Sequence, residues 1–109
     1  MSENPFRVTR GERDGSTVVG VEGEVDASTA PTLEAEVALA LAEAPGALDL
    51  VIDLSEVGFM DSSGLRVLIS ALNAVREREG TLTLHEPSEV VAQLLEVTQL
   101  AGRLTITRD

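Results

Sequence analysis

From Leu48 to Leu54 the chain alternates. Leu48, Leu50, Ile52 and Leu54 fall on one side of an extended strand, and Asp49, Val51 and Asp53 fall on the other. Leu82 and Leu84 oppose Thr81 and Thr83 in the same way, and Leu104 and Ile106 oppose Thr105 and Thr107. Two further strands precede these. They are Phe6 to Arg10 and the valine-rich Ser16 to Glu22, joined by the polar turn Gly11 to Gly15, in which Asp14-Gly15 is a hairpin signal. Between the strands the period lengthens to that of a helix. Leu33, Val37 and Leu41 mark a helix over Ala27 to Ala44, with Ser28 or Thr29 as its cap and Pro31 in its first turn. Leu65, Leu68, Ile69, Leu72 and Val75 mark a second over Ser62 to Glu79. Val90, Val91, Leu94 and Leu95 mark a third over Pro87 to Leu100. Pro45-Gly46, Gly80 and Gly102 end the three helices, and Arg76 to Glu79 read as solvent-facing.

The order ββαβαβαβ predicts an α/β domain with a five-stranded, mixed and mostly parallel sheet. Residues 1–109 read as one domain, with Met1 to Pro5 as a flexible tail. A sheet covered on both faces would show continuous apolar runs, whereas these strands alternate, so the helices lie mainly on one face. Right-handed crossovers put successive helices on the same face only if the strands are laid down in one direction. Strands two to five are therefore expected in sequential, parallel order, with the first paired antiparallel by its hairpin.

Partners of such a sheet meet the carboxyl ends of its strands. Three loops are expected on that edge: Gly23-Glu24-Val25-Asp26, the run Ser55 to Met60 leading into Asp61-Ser62-Ser63, and His85-Glu86. Neighbouring strands carry the first two, so Asp26 and Asp61 are expected beside Ser62. Asp61-Ser62-Ser63-Gly64 has a plain structural meaning as a helix cap, because its oxygens accept the orphan N–H groups of the first turn. It also suits regulatory phosphorylation. A phosphate there meets unsatisfied N–H groups and the positive end of the helix dipole, while adding charge beside Asp61, Asp26 and Glu24. The geometry alone leaves Ser62 and Ser63 both open. Phe59-Met60 reads either as a hydrophobic staple or as exposed contact surface.

Charge and composition narrow the chemistry. The net charge of −11 disfavours nucleic acid and anionic lipid as partners. All eight basic residues are Arg, so no lysine-dependent phosphate loop, Schiff base or lysine-bearing receiver site is available. There is no Cys, and Phe6 and Phe59 are the only aromatics. No signal peptide or membrane span is expected, and a cytoplasmic location is.

Phe59-Met60-Asp61-Ser62-Ser63-Gly64-Leu65 resembles the signature of bacterial anti-sigma factor antagonists of the STAS domain family. Gly23-Glu24-Val25-Asp26, Ala30-Pro31 and Leu95-Glu96-Val97-Thr98-Gln99-Leu100 resemble further parts of that family, from about Thr17 to Ile106. The resemblance implies a STAS-like fold and a partner-switching role in transcription regulation. The unphosphorylated protein would bind an anti-sigma factor serine kinase and so release its sigma factor. Phosphorylation would end that binding, and a metal-dependent PP2C-type serine phosphatase would reset it. By position in the motif, Ser62 matches the phosphorylated residue, with Ser63 as runner-up. Glu24, Asp26, Asp61 and Gly64 lie near it, and Met60, Ser63, Leu65 and Arg66 contribute to docking. Arg66 stands where many relatives have Gly, and many relatives continue past Asp109 into another helix.

Other readings compete. A STAS scaffolding subunit in another complex, such as a transport-associated assembly, would share the fold. A hydrolase would use Ser62, His85 and an Asp, but the Ser is not in a G-x-S-x-G elbow. Asp26 and Asp61 with water would hold magnesium only weakly. The expectation is therefore a protein that is not an enzyme and needs no cofactor or resident metal.

Overall fold

The computed structural model describes residues 5–108. β1 (Arg7–Arg13) and β2 (Ser16–Val25) form a hairpin whose turn is only Asp14 and Gly15, at φ 55° and 86°. Two left-handed residues give a two-residue turn whose twist matches the strands it joins. The loop is therefore shorter than the polar stretch suggests, and β1 runs on to Arg13. The chain continues as α1 (Ala30–Glu43), β3 (Asp49–Met60), α2 (Ser62–Glu77), β4 (Thr81–His85), α3 (Glu89–Val97), a 3-10 turn (Ala101–Arg103) and β5 (Thr105–Thr107).

The sheet order is β1-β2-β3-β4-β5, antiparallel at the hairpin and parallel elsewhere, as crossover handedness requires. Its alternation has the expected consequence. Val19, Ile52 and Leu84 stand in register and are fully buried under the helices. Val18, Val51, Thr83 and Thr105 form the neighbouring row on the open face, and all remain at least partly exposed. Arg10, on the covered side, ties the hairpin to α1 through Glu36 at 3.2 Å and Glu43 at 3.0 Å.

Two expected loops are strands. β2 includes Gly23-Glu24-Val25, and β3 continues through Ser55 to Met60. Glu22–Val25 and Glu56–Met60 thus form a two-stranded ribbon beyond Asp53, where pairing to β4 stops. Register slips between Gly20 and Glu22 and between Gly23 and Glu24 bend it. The first residue of α3's approach seals its flank: Ser88 Oγ donates to the Val57 carbonyl at 2.6 Å, and its N–H donates to Leu54 at 3.2 Å. The expected tail residues Met1 to Asn4 lie outside the described residues. Pro5 does not belong to a free tail, because its carbonyl and the Phe6 backbone lie against Gly23, at φ +100°, where a Cβ would come within 2.9 Å of Phe6 Cα.

The helix ends also differ from expectation. α1 begins at Ala30, because residues 27–29 form a turn that Asp26 organises. Arg78 is not solvent-facing. Its guanidinium donates to the carbonyls of Leu41 and of Ala44, the latter at 2.7 Å, and so caps the C-terminus of α1. α2 is stopped by Glu79 in the left-handed region at φ 59°, with Gly80 N–H donating to Val75 at 2.7 Å. Gly80 is needed instead for close approach, since a Cβ there would lie 2.2 Å from the Leu48 carbonyl oxygen. α3 ends the same way at Gln99, φ 63°, three residues before Gly102. On α3 Val91 and Leu95 are buried, but Val90 is exposed. On α2 Val67 and Ala71 are buried, whereas Ile69 is only half-buried.

Candidate functional site

The tip of the β2–β3 ribbon carries the polar motifs. Val25 pairs with Met60, and the N–H of the next residue, Asp61, donates to the Val25 carbonyl at 3.2 Å. Asp26 and Asp61 therefore leave the ribbon side by side. Side chains alternate here too. Val25 and Met60 are buried toward α2, while Glu24 and Phe59, also in register, are exposed.

Asp61 is the N-cap of α2. Its backbone is extended, its carboxylate accepts the Ser63 N–H at 2.8 Å, and its carbonyl accepts from Gly64 and Leu65 at 3.0 and 3.2 Å. Ser62 is then the first helical residue. It is exposed, and its hydroxyl makes no hydrogen bond with any described residue. Ser63 is half-buried and lines a groove of about 190 Å³ between the starts of α1 and α2, with Ala27, Pro31, Glu34 and Arg66.

Asp26 organises the facing turn. One carboxylate oxygen accepts from the Ser28 hydroxyl at 2.8 Å, the Ser28 N–H at 2.9 Å and the Thr29 N–H at 3.2 Å. The Ser28 hydroxyl first, then the Ser28 N–H, with Thr29 adding less, hold its carboxyl below the ordinary value of 3.8 against a smaller effect of burial. Thr29, one of the two caps the sequence offers for α1, stands at its N-cap position, but its side chain does not cap the helix. Its hydroxyl donates to the Glu24 carbonyl at 2.8 Å and accepts the Asp26 N–H at 2.9 Å, closing the turn onto β2. Its spacing of three from Asp26 was the available signal.

Gly64 seats α2 on the ribbon. A Cβ there would lie 2.5 Å from Met60 Cγ and 2.9 Å from Val25 Cγ1. Met60 and Leu65, expected at a docking surface, are buried at 4% and 8% exposure, because the ribbon turns the one and the helix face the other toward the core. They shape the corner from beneath. The exposed side chains are Glu24, Phe59, Ser62 and Arg66. Phe59 is thus exposed and not a staple.

His85 does not join this group. It pairs with Asp53, and β3 runs on from there to Met60, on the order of 20 Å at strand rise. Its ring Nδ1 sits 3.0 Å from Thr107 Oγ1. A Ser62–His85–Asp constellation is therefore not assembled. Among the described residues no three His, Asp or Glu side chains gather as a metal set, and no helix is long and apolar enough to cross a membrane.

A one-sided sheet in this strand order, with an Asp-capped helix opening at the tip of its second and third strands, defines a STAS domain. The sequence model of the family described as "Mlab, STAS domain" matches residues 8–107, and the chain belongs to that family. The anti-sigma-B factor antagonist of Listeria monocytogenes is 38% identical over 96 residues, covering 87% of this chain and 82% of that protein. The anti-sigma-B factor antagonist of Bacillus subtilis is 35% identical over 96 residues, covering 88% and 85%. A crystal structure of an anti-sigma factor antagonist from Mycobacterium paratuberculosis matches with a TM-score of 0.82 at 29% identity, over 94% of this chain and 85% of that one.

Proposed function

We propose that this protein is a cytoplasmic anti-sigma factor antagonist switched by phosphorylation of Ser62. The unmodified protein binds a serine-kinase anti-sigma factor and releases its sigma factor. The kinase then transfers phosphate from ATP: a bond forms between Ser62 Oγ and the γ-phosphorus, the bond to the bridging oxygen breaks, ADP leaves, and the hydroxyl proton passes to a base of the kinase. A PP2C-type serine phosphatase hydrolyses the ester and restores binding. The observation that carries this reading is the unbonded, exposed Ser62 hydroxyl at the first position of α2, on the tip of the ribbon. Ser63 is less accessible and its N–H is engaged by Asp61.

The added charge explains the change of state. A phosphoserine brings nearly two negative charges to a corner that already holds Glu24, Asp26 and Asp61. Helix N–H groups tolerate it, so α2 need not unfold, but a docked surface must accommodate both its bulk and its field. The test is incubation with candidate kinases and ATP, with mass spectrometry to localise phosphate. Ser62→Ala should take up none, and Ser62→Asp should bind the kinase more weakly. Phosphate uptake by Ser62→Ala at the wild-type rate would show the assignment wrong and turn attention to Ser63.

A further inference from the structure

Between Arg13 and Arg76 the chain has a single basic residue, Arg66. It follows Ser62 by four positions on α2, so the two side chains are neighbours on one helix face. Arg66 is exposed and, among the described residues, makes no hydrogen bond or ion pair. Arg7, Arg10 and Arg78 differ in this, holding Glu22, Glu36 with Glu43, and the α1 carbonyls. The charged groups placed toward it are acidic: Asp61 at the cap of the same helix, Asp26 at the adjoining ribbon tip, and Glu34 of α1 lining the same groove.

We infer that Arg66 is the internal counter-ion of phosphorylated Ser62. This rests on the reading of Ser62 as the switch. A guanidinium presents a planar fork that matches two phosphate oxygens, and the helical spacing brings it there without moving the backbone. Asp61, Asp26 and Glu24 disfavour the dianion, and Arg66 opposes them. The pair also enlarges the switch. In the unmodified protein the corner offers a partner one accessible cation. On phosphorylation it gains negative charge, and the same event occupies that cation.

The test uses full-length protein with phosphoserine installed at position 62 during synthesis, so that no kinase need select the site. Phosphorus NMR follows the second phosphate ionisation against pH in the wild type, Arg66→Lys and Arg66→Gln. The wild-type midpoint should lie below that of Arg66→Gln by about half a pH unit, given an exposed pair, with Arg66→Lys between. The difference should shrink in ~1 M salt. Thermal midpoints of the unmodified proteins should coincide, which a structural role for Arg66 would prevent. Equal phosphate midpoints in all three proteins would overturn the ion pair. A kinase that modifies another hydroxyl would instead overturn the switch reading, so the two failures are distinguishable.

Discussion

The N–H of Asp61 donates to the carbonyl of Val25, and this bond welds the two acidic motifs into one corner. It continues the β2–β3 ladder by one step past Met60, at the point where α2 begins. The relative position of Asp26 and Asp61 is therefore set by main chain, and substitutions beneath the corner should disturb it more than substitutions on it.

Gly64→Ala tests that seat. In an open helix the change would gain about 1 kcal/mol of propensity. Here the added carbon meets Met60 and Val25 at distances no contact allows. Overpacking of this kind costs about 1–3 kcal/mol, so the propensity gain is cancelled or outweighed and a net loss of up to about 2 kcal/mol is expected in urea denaturation. An increase in stability would mean that α2 does not sit on the ribbon as described.

Asp26 should titrate below pH 3.8, because Ser28 and Thr29 donate to its ionised form. A depressed folded value stabilises the protein above the unfolded pKa, and this contribution disappears as pH falls through the folded pKa. Carbon-detected NMR titration should place the midpoint below the ordinary value in the wild type. Ser28→Ala should move it upward, since the Ser28 hydroxyl is the largest cause.

Arg78→Ala should destabilise the fold by about 1–2 kcal/mol, because two last-turn carbonyls of α1 lose charged donors. Arg78→Lys should recover only part of this, since one ammonium is a poor substitute for a fork spanning both carbonyls. Chemical denaturation of the three proteins checks the ranking.

Glu79→Gly should stabilise the protein by up to about 1 kcal/mol. The left-handed backbone that Glu79 adopts is strained for a side chain and free for glycine, and a carboxylate leaves the negative end of α2. Gly80→Ala, one residue on, should be destabilising, because its new carbon would strike the Leu48 backbone. A reversed order in thermal melts would contradict the helix end described.

Much of the architecture was readable from alternation. Leu48 to Leu54, Leu82-Leu84 and Asp14-Gly15 imply a one-sided sheet and its hairpin, and handedness supplies the strand order. The ribbon was hidden because Leu54, Val57 and Met60 are buried at spacings of three, as bulged strands allow, while Gly23 and Gly58 look like turn residues. The role of Arg78 was hidden for another reason. Its acceptors lie 37 and 34 residues upstream, so nothing in its own helix announces them. At the site, the strand order implied adjacent ends for β2 and β3, and the structure has Asp26 and Asp61 leaving them side by side. Motif spacing did not separate Met60, which faces inward, from Phe59, which faces out, because a register slip in the ribbon decides that and leaves no local mark, whereas the inward turn of Leu65 follows from the apolar stripe it shares with Leu68 and Leu72 on α2.

The ribbon tip is pinned by β-pairing, by the α2 seat and by Ser88, while His85 stands far behind it and no lysine exists anywhere in the chain. Among the described residues, an ester formed at Ser62 would have no histidine or lysine amine beside it to hasten its loss. The molecule would behave as a passive memory bit. It would be written and erased from outside, and legible only to a protein that touches the mark itself.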